Sequence, residues 1–439
     1  MPTIRKSRYC FLIKQDENYL AYNSSTNSFF KINSYVYNLI KNTNTDISDS
    51  INNNEEIKTL HDMRLLSTKE EDDAVVDLLR MKFFMHSYSK ENLAILLVPT
   101  LACNLRCPYC FEKNKKPIKM NFDMCDKIID FIKSHTYAKT MSLTWYGGEP
   151  LLAPDIIKYF LIKLSKVKMP QFISHGMITN GTLLTKENIS IFKKYPLNSI
   201  QITLDGLQQT HDRKRIKPDG SGTYDLIIKN LKSFIEECPK TSISLRVNID
   251  RNNYNEFMQI YDIIRTMFPD KKNIYIYPGI LRNCGTKMEN SPFLINEDIL
   301  KIKEQFVKEG YPIQYPQTSE SGCCATCLSS YIIGPEGEIY KCWEDVGNET
   351  KSIGNIQDQQ YTNISLLSKY MLHGSHLIDE ECRDCPLLPI CSEDCAKNRI
   401  ENKFCNAENT LCSIYKNKNY EALSKMLYNF YNRCILNKN

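Results

Sequence analysis

Eighteen cysteines stand in this chain of 439 residues, and three of them lie together on one short segment. They are Cys103, Cys107 and Cys110, with three residues between the first two and two residues between the last two. Three thiolates are one fewer than a closed tetrahedral metal site needs, so a metal bound here keeps an open coordination position. The spacing fits a zinc ion with a distant fourth ligand, and it also fits an iron–sulfur cluster with one iron left free.

Ten more cysteines lie between residues 323 and 412, and four of them form a run with two, five and three intervening residues. The ten are Cys323, Cys324, Cys327, Cys342, Cys382, Cys385, Cys391, Cys395, Cys405 and Cys412. They are enough for two further metal sites, and a zinc-ribbon structure is the alternative for this region. The remaining cysteines are interpreted as buried small apolar residues. These are Cys10, Cys125, Cys238, Cys284 and Cys434.

The composition is that of a globular protein rather than a disordered or fibrous one. Hydrophobic residues make up 42% of the chain and charged residues 24%, with 16 Gly and 18 Pro. The net charge of +5 is small over this length, and we predict neither a nucleic-acid nor a membrane partner. The chain opens without an apolar signal segment, and no apolar run reaches the roughly 18 residues that span a bilayer. We therefore predict a cytoplasmic protein, in which clustered thiols point to metal rather than to disulfides.

Short apolar strands and amphipathic helices alternate through six strands from residue 93 to residue 280. The predicted helices cover 122–135, 154–166, 186–194, 223–236 and 254–267. Alternation of this kind means a parallel sheet with right-handed crossovers. Six units in about 190 residues predict a partial (β/α)6 barrel rather than a closed eightfold barrel, with the chemistry at the carboxyl ends of the strands.

Polar and glycine-containing motifs fall at these carboxyl ends. The three cysteines follow the first strand, and the next four strands are followed by Gly147-Gly148-Glu149-Pro150, Thr179-Asn180-Gly181, Asp205-Gly206, and Arg246 with Asn248. Glycines let backbone carbonyls approach closely, and a carboxylate pairs with an ammonium group. Simpler interpretations stay open: turn-forming side chains for Thr179 and Asp205, a solvated acid at a helix start for Glu149, and a surface charge for Arg215.

At these residues the chain resembles the radical S-adenosylmethionine (radical SAM) enzymes. In that family, three cysteines hold three irons of a 4Fe–4S cluster, and the fourth iron binds the amino and carboxylate groups of S-adenosylmethionine. The resemblance assigns Cys103, Cys107 and Cys110 to this cluster. It favours iron over zinc, because the loop follows a barrel strand and carries Tyr109 before the last cysteine. It also implies that Tyr109 lies beside the adenine of the cofactor.

Two further segments match the family's motifs. Gly147-Gly148-Glu149-Pro150 corresponds residue for residue to the Gly-Gly-Glu-Pro loop that meets the cofactor's amino group. Thr203-Leu204-Asp205-Gly206, followed by Arg215, resembles the family's Ser-x-Asp-Gly segment. The resemblance implies that Thr203 and Arg215 hold the ribose and the carboxylate of the cofactor, and it places Asp205 among the cofactor-binding residues. The backbone of residues 276–278 is expected at the adenine.

The C-terminal cysteines resemble the extension called the SPASM domain. In that domain a Gly-x4-Cys element precedes a Cys-x2-Cys-x5-Cys-x3-Cys run, and a last cysteine follows. Gly337 with Cys342 matches the first element, and the run matches without a gap at Cys382, Cys385, Cys391 and Cys395. The resemblance implies two auxiliary 4Fe–4S clusters beside the cluster that binds S-adenosylmethionine.

The same resemblance implies how these ligands are shared. The first auxiliary cluster takes Cys342, Cys395 and an upstream cysteine, and the second takes Cys382, Cys385, Cys391 and a late cysteine. The upstream position is open among Cys323, Cys324 and Cys327, of which we assign Cys323 and Cys327 to metal; the alternatives are free thiols or an open iron. The late ligand is Cys405 or Cys412. We favour Cys412, because Cys-Ser-Ile-Tyr-Lys resembles the family's ending.

The N-terminal residues alternate apolar and polar in short runs before two helical patterns. Residues 19–33 resemble part of the winged-helix element that grips a leader peptide in ribosomal-peptide maturases. Such an element adds the extended leader as a strand to a sheet edge.

The expected fold class is α/β, a partial (β/α)6 barrel with an N-terminal winged-helix-like domain and a C-terminal Cys-rich iron–sulfur domain. The expected domains are 1–88 for leader recognition, 89–285 for the barrel, 286–320 as a bridge, 321–415 for SPASM and 416–439 as a helix.

The resemblance implies a radical SAM peptide maturase whose 5′-deoxyadenosyl radical abstracts hydrogen from a ribosomally made precursor peptide. The expected partners are a precursor peptide with a leader and an external one-electron donor such as flavodoxin or ferredoxin. The favoured product is a Cys thioether, and a carbon–carbon crosslink or an epimerisation is the alternative. Sulfatase-maturing relatives carry Asp after the cysteine that corresponds to Cys342, whereas Trp343 stands here, which argues against oxidation of Cys or Ser. No residue is assigned a catalytic role.

Two other hypotheses belong to different classes. A non-catalytic iron–sulfur or zinc binding protein, or an electron carrier, has no need of a Gly-Gly-Glu-Pro loop and predicts no cleavage of S-adenosylmethionine. An enzyme that acts on a small molecule or a quinone-cofactor precursor has no need of leader binding by residues 1–85.

Overall fold

Two three-stranded antiparallel sheets form the beginning of the chain. The computed structural model describes residues 3–46, 54–112, 116–167, 170–281, 293–318, 323–358, 361–392 and 395–435. The first six strands are β1 (Thr3–Lys6), β2 (Cys10–Gln15), β3 (Asn18–Asn23), β4 (Ser28–Ile32), β5 (Asn44–Asp46) and β6 (Leu66–Ser67). One sheet has the order β5-β1-β6 and the other the order β2-β3-β4. The short runs of alternating apolar and polar residues at the N-terminus therefore form two small sheets.

Three helices accompany these sheets: α1 (Ser34–Asn42), α2 (Glu55–Asp62) and α3 (Lys69–Ser87). Each begins at a polar side chain that accepts a hydrogen bond from a free backbone N–H of the first turn. Asn33 caps α1 and Asn54 caps α2. Thr68 and Glu71 form a reciprocal capping box at the start of α3. The local sequence therefore fixes where these helices start.

One compact unit comprises Met1–Tyr88, Ile299–Cys327 and Ser368–Asn439. Within it, Phe11, Leu20 and Tyr22 of the N-terminal sheet share a buried cluster with Leu423 and Leu427 of the C-terminal helix. Apolar burial therefore links the N-terminal sheet to the Cys-rich end of the chain.

The other compact unit comprises Ser89–Asp298 and Leu328–Leu367 and contains a nine-stranded sheet. Its strands are β7 (Asn92–Leu97), β8 (Thr140–Trp145), β9 (Gln171–Thr179), β10 (Ser199–Leu204), β11 (Ser242–Ile249), β12 (Ile274–Ile280), β13 (Ser330–Ile333), β14 (Glu338–Tyr340) and β15 (Gly354–Asn355). They lie in the order β12-β11-β10-β9-β8-β7-β13-β14-β15. Neighbours from β7 to β12 pair in parallel, as the alternation of strands and helices predicts. The α/β class and the parallel sheet are confirmed.

The sheet extends beyond the six predicted strands. β13 pairs in parallel with β7, and β14 and β15 continue as antiparallel neighbours. The sequence pattern predicts no strand in this region, because Ser330–Ile333 is a short apolar segment among cysteines, prolines and glycines. All four residues of β13 are buried, so this strand completes the interior of the sheet.

Six helices connect the parallel strands: α4 (Phe122–Ser134), α5 (Pro154–Leu164), α6 (Lys186–Lys194), α7 (Gln208–Lys214), α8 (Tyr224–Glu237) and α9 (Phe257–Met267). Five of them match the predicted ranges to within three residues at each end. α7 was not predicted as a helix. Alternate residues of the strands are buried, as in the pattern of Met141, Leu143 and Trp145 on β8, whereas the residues between them stay partly exposed.

The remaining helices of the chain are α10 (Asn296–Lys308), α11 (Ile364–His373), α12 (Ala396–Cys405) and α13 (Glu421–Phe430). Of the isolated cysteines, Cys10, Cys125 and Cys238 are buried, which confirms that prediction for them. Cys284 and the side chain of Cys434 lie outside the described residues, as does part of the expected bridge. Within the described ranges, none of the helices has the length and apolar character required to cross a membrane.

His175 on β9 makes the stability of this unit dependent on pH. The Trp145 Nε1–H donates to its Nε2 at 2.8 Å, and its Nδ1 lies 3.0 Å from the Pro196 carbonyl. Burial lowers the pKa of His175 to about 4. In the unfolded chain the His175 ring binds a proton near pH 6.5. The contribution of the neutral ring to the free energy of unfolding is therefore fully present above that pH and is lost as the pH falls towards 4.

We therefore expect the free energy of unfolding to decrease below pH 6.5 by up to about 1.4 kcal/mol per pH unit through this side chain. The measurement is urea unfolding, followed by tryptophan fluorescence, at a series of pH values. The control is His175→Gln, whose amide oxygen can still accept from Trp145 but does not titrate. Equal pH slopes in the two proteins would contradict the prediction.

Candidate functional site

The three clustered cysteines lie on the loop that follows β7 and line one cavity of about 280 Å³. The other lining residues are Leu101, Ala102, Leu105, Arg106, Glu112, Pro117 and Gly148. Burial raises the pKa of the Cys103 thiol to about 12, and it also raises the pKa of the Cys107 and Cys110 thiols. Metal binding at these thiols is therefore coupled to proton release.

The cavity suits a cluster better than a single ion. Among the described residues, no three His, Cys, Asp or Glu side chains are grouped so that they could hold one metal ion. Cys103, Cys107 and Cys110 surround a space instead, as ligands to several irons must. Three thiols that face one cavity fit a 4Fe–4S cluster with one free iron.

The Gly147-Gly148-Glu149-Pro150 loop after β8 packs directly on the backbone that leads into the cysteine loop. The N–H groups of Gly148 and Glu149 donate to the carbonyls of Thr100 and Ala102 at 3.2 and 2.9 Å. Gly147 has a φ of +128°, in the region that favours glycine. A Cβ on Gly148 would stand 2.3 Å from the Ala102 carbonyl oxygen, so only glycine fits.

This packing gives a prediction for Gly148→Ala. The added methyl group would push the loop away from residues 101 and 102, and the cysteine loop would move with them. We expect the variant, reconstituted without oxygen, to lose at least half of the iron held by the first cysteine group. The measurement is iron content in a background whose C-terminal cysteines are replaced. Gly220→Ala is the control for a glycine replacement without a clash: no atom lies within 4 Å of a Cβ built there, although its φ of +81° strains the local backbone. Equal iron contents would contradict the prediction.

Glu149 is completely buried, so its interpretation as a solvated acid is wrong. Its carboxylate accepts hydrogen bonds from the Thr179 hydroxyl at 2.8 Å and from the N–H groups of Asn180 and Leu151 at 2.8 and 3.0 Å. Burial raises the pKa of Glu149. A carboxylate offers about four acceptor positions, so three hydrogen bonds leave one for an ammonium group. The turn interpretation of Thr179 also holds, because its hydroxyl accepts from the Gly181 N–H at 3.1 Å.

Asn104 is a site residue that the sequence analysis missed. Its side chain donates to the Thr182 hydroxyl at 2.8 Å and accepts from the Asn180 side chain at 2.9 Å. It thus ties the cysteine loop to the loop after β9. No spacing rule singles out an asparagine between two cysteines, so the signal was too weak to find.

A second polar cluster lies at the ends of β10 and β11. The Tyr109 hydroxyl donates to the Asp205 carboxylate, and the Arg215 guanidinium donates to the Tyr109 oxygen at 3.0 Å and lies 3.7 Å from Asp205. The Asn248 side chain donates to Asp205 at 3.1 Å. The turn interpretation of Asp205 and the surface-charge interpretation of Arg215 are therefore wrong. Both side chains are buried, and both form a hydrogen bond with the Tyr109 hydroxyl.

The charges of this cluster are balanced by its own members. Burial raises the pKa of Asp205, and the positive charge of Arg215 opposes that shift. Burial by itself lowers the pKa of Arg215. The attraction of Tyr109 and Asp205 outweighs this effect, and the pKa of Arg215 is raised. The Nε–H of Arg215 is buried and has no hydrogen-bond partner among the described residues. It is a donor available to a bound group with acceptor oxygens, such as a carboxylate.

His211 supports the cluster from behind. Its Nδ1 accepts the Asp205 N–H at 3.2 Å, and its Nε2 lies 3.1 Å from the Thr223 hydroxyl, which donates to the Arg215 carbonyl at 2.7 Å. Burial, with the nearby charge of Arg215, lowers the pKa of His211 to about 3. The ring is therefore neutral at physiological pH, and it positions Asp205.

Thr203 is buried near the end of β10, two residues before Asp205, and its register partner on β11 is Arg246. The Arg246 Nε–H donates to the Asn248 oxygen at 2.8 Å. Residues 276–278 lie on β12, the neighbour of β11. The sheet thus brings every barrel motif of the sequence analysis to one edge.

Several of the C-terminal cysteines lie at short 3-10 turns, and Cys395 and Cys405 stand at the two ends of the helix α12. Lys416 lies near Cys412, Cys385 and Cys382, whose charges help to raise its pKa. Cys405, at the end of α12, and Cys412 are both exposed, so exposure does not distinguish them. The shared proximity to Lys416 places Cys412 close to Cys385 and Cys382, which favours Cys412 as the late ligand. In the upstream turn Cys324 is exposed, whereas Cys323 and Cys327 are partly buried.

Residues 97–264 match the sequence profile described as the Radical SAM superfamily. The chain therefore carries a radical SAM domain, whose cofactors are a 4Fe–4S cluster and S-adenosylmethionine. It is also related to the cysteine-type anaerobic sulfatase-maturating enzyme of Clostridium novyi (strain NT), with 23% identity over 374 residues that cover 77% of this chain and 97% of that protein.

Solved structures show the same fold. Native anSMEcpe with bound AdoMet has a TM-score of 0.59 at 18% identity and covers 78% of this chain and 98% of its own. Streptococcus suis SuiB bound to S-adenosylmethionine has a TM-score of 0.54 at 17% identity and covers 93% of this chain and 100% of its own. SuiB has also been solved bound to the precursor peptide SuiA. These structures establish the radical SAM fold of the chain.

Proposed function

We propose that this protein is a radical SAM peptide maturase. The observation that carries the proposal is the hydrogen-bonded contact between the Gly147-Gly148-Glu149-Pro150 loop and the cysteine loop, which sets a buried carboxylate beside a cavity lined by three thiols. An electron carrier needs the thiols but not the carboxylate. Hydrogen abstraction from an unactivated carbon is the chemistry that the cluster and S-adenosylmethionine supply when bound.

The residues of this chain bind and orient these groups. Cys103, Cys107 and Cys110 would hold the cluster, with the open coordination position left to the cofactor. The fourth acceptor position of Glu149 suits the cofactor's ammonium group, and the orphaned Nε–H of Arg215 suits its carboxylate. Thr203 would contact the ribose. Tyr109 would serve twice, with its ring towards the adenine and its hydroxyl held by Asp205 and Arg215.

The first test uses protein reconstituted without oxygen. Iron per chain is measured first, and 5′-deoxyadenosine is then measured after addition of dithionite and S-adenosylmethionine. We expect iron for three 4Fe–4S clusters, which includes the two auxiliary clusters, and 5′-deoxyadenosine that disappears in a Cys103/Cys107/Cys110→Ala variant. Zinc in place of iron, or no 5′-deoxyadenosine from the intact reduced protein, would favour the non-catalytic alternative.

A peptide substrate is supported by the sulfatase-maturating relatives and by the SuiB structure with its precursor. We further propose that the N-terminal sheet β2-β3-β4 grips a leader, because β4 lies at its edge and an extended peptide can add there. Deletion of residues 1–85 is not a clean test, since Phe11 and Tyr22 pack on the C-terminal helix. Comparison of a leader-bearing precursor with its leaderless core is cleaner, and equal kcat/KM values would contradict leader binding.

We propose a thioether between a substrate cysteine and an acceptor carbon as the product. Formation of the bond removes one hydrogen from carbon and one from the thiol. The 5′-deoxyadenosyl radical takes the first, and an acceptor is required for the electron that remains when the thiol loses its proton. We propose that an auxiliary cluster held by the C-terminal cysteines accepts this electron. Trp343, which lies 6.0 Å from the Tyr146 ring and stacks with it, supplies no carboxylate where sulfatase-maturing relatives carry Asp. The reduced state of the first cluster requires an external donor of the flavodoxin or ferredoxin type.

Mass spectrometry of the treated peptide separates the possible products. A thioether lowers the mass by two hydrogens and removes one thiol that iodoacetamide can alkylate. A carbon–carbon crosslink lowers the mass equally but leaves the thiol free. An epimerisation changes neither. The first result would support the thioether, and either of the others would replace it within the same class.

A further inference from the structure

The helix α3 carries large apolar side chains on two opposite faces. On the inner face Val76 and Phe83 belong to a buried cluster with Leu377 and Leu388. The outer side is exposed to solvent and carries Leu78 (47% exposed), Met81 (53%), Phe84 (40%) and Met85 (69%), and Tyr88 (40%) directly follows the last residue of the helix. A surface helix of a globular protein ordinarily has one apolar face, directed at its own core. The outer face of α3 is therefore a candidate contact surface.

The spacing on this face is that of a coiled-coil seam. Ala74, Leu78, Met81, Met85 and Tyr88 follow one another at intervals of four, three, four and three residues, with the exposed Ala74 at the N-terminal end. This is the a/d repeat of paired helices, and it extends for about 21 Å along the axis. Val76 and Phe83 fall at the positions farthest from the seam, which explains why they face the chain's own core.

Two charged residues flank the seam, and they determine the partner. Asp77 directly precedes Leu78, and Lys82 directly follows Met81; both are exposed, and neither forms an ion pair with any described residue. In a parallel pair of helices, a residue in the position of Asp77 faces the residue five places further along the other helix. That residue is Lys82 when the other helix is a second copy of α3. Both Asp77–Lys82 pairs would then form, one on each side of the seam.

The antiparallel alternative is less favourable. If Leu78 of one copy met Tyr88 of the other, and Met81 met Met85, the two Lys82 side chains would face each other. Like charges in that arrangement destabilise the pair. The charge pattern therefore selects a parallel arrangement about a twofold axis.

We propose that two copies of this chain associate through the outer face of α3, with the helices parallel and with Asp77 of each copy paired to Lys82 of the other. The seam is short, at two heptads, so the dimer dissociates on dilution. Its formation does not depend on cofactor or substrate, and the proposal stands apart from the proposed function.

The experiment is sedimentation velocity of the full chain over a concentration series. We expect the mass to rise from 51.1 kDa towards twice that value with concentration. Met85→Glu places a charge in the seam and should leave only monomer. Leu372→Glu is the matched control, because Leu372 is 52% exposed on α11 in the same unit, and it should dimerise like the wild type. Circular dichroism checks that each variant is folded.

A charge exchange tests the register. Asp77→Lys and Lys82→Asp should each weaken the dimer, since each sets like charges opposite one another, and the double variant should restore it. Asp262→Lys on α9 is the control for the charge change, because Asp262 is exposed and has no ion pair among the described residues. A monomeric wild type, or a dimer insensitive to Met85→Glu, would overturn the proposal. A double variant that stays monomeric would overturn the parallel arrangement.

Discussion

Replacement of Arg215 by methionine is expected to lower the free energy of unfolding by about 3 to 5 kcal/mol and to abolish cleavage of S-adenosylmethionine. The reason for the first effect is that Arg215 lies 3.7 Å from the Asp205 carboxylate, which is completely buried. Without the arginine, the buried carboxylate loses the cation at 3.7 Å, and the charge of Lys214 also acts on it. The reason for the second effect is the loss of the free Nε–H donor.

The double variant Asp205→Asn/Arg215→Met separates stability from function. Asparagine keeps an acceptor for the Tyr109 hydroxyl and carries no charge, so the unfolding free energy should recover while cofactor cleavage does not. Lys214→Met is the matched control, because Lys214 pairs with the buried Asp250 at 2.7 Å next to the cluster. It should lose stability and retain cleavage. Recovery of cleavage in the double variant would contradict a cofactor-binding role for Arg215.

Glu149→Gln is expected to weaken binding of S-adenosylmethionine by about ten- to a hundredfold, the range given by loss of a hydrogen bond to a charged group. The substitution removes the negative charge that an ammonium group requires. It also sets an amide NH2 against the N–H of Asn180, which now donates to the carboxylate at 2.8 Å. The measurement is equilibrium dialysis of labelled cofactor against the reconstituted protein without oxygen.

A neighbouring carboxylate provides the control for Glu149. Glu256 accepts from the Leu207 N–H at 2.7 Å and from the Thr210 hydroxyl at 2.6 Å, so Glu256→Gln disturbs a similar set of hydrogen bonds. We expect both variants to lose comparable stability and only Glu149→Gln to lose cofactor affinity. Equal affinities in the two variants would show that Glu149 acts only as a structural acceptor between loops.

Most of the barrel could be predicted from the sequence. The alternation of apolar strands and amphipathic helices reports local burial, and local burial fixes helices such as Lys186–Lys194 to the residue. The motifs at the carboxyl ends follow from the parallel topology, which brings Glu149 and Asp205 to one edge of the sheet. What a side chain bonds to at that edge could not be predicted. Tyr109 on the cysteine loop and Asn248 on β11, for example, meet at Asp205 although they are far apart in the chain.

The C-terminal third resisted prediction for a different reason. Its cysteines dominate the pattern, so the apolar residues between them were not interpreted as core. Leu387 and Ile390 nevertheless pack in the buried cluster of the N-terminal sheet. Pairing between distant segments depends on complementary surfaces that single-sequence periodicity does not encode.

The pairing of β13 with β7 bears on how the protein matures. Val98, on the way from β7 to the cysteine loop, donates its N–H to the Ile333 carbonyl at 2.9 Å. During synthesis the radical SAM segment leaves the ribosome long before β13 exists, and until then β7 is an unprotected sheet edge. The loop that receives the first cluster is thus anchored on a strand that stays half paired until most of the chain has been made. Iron that reached the nascent chain would meet a loop on an incomplete sheet. We therefore expect chains truncated before residue 330 to hold less iron and to be less soluble than the full chain.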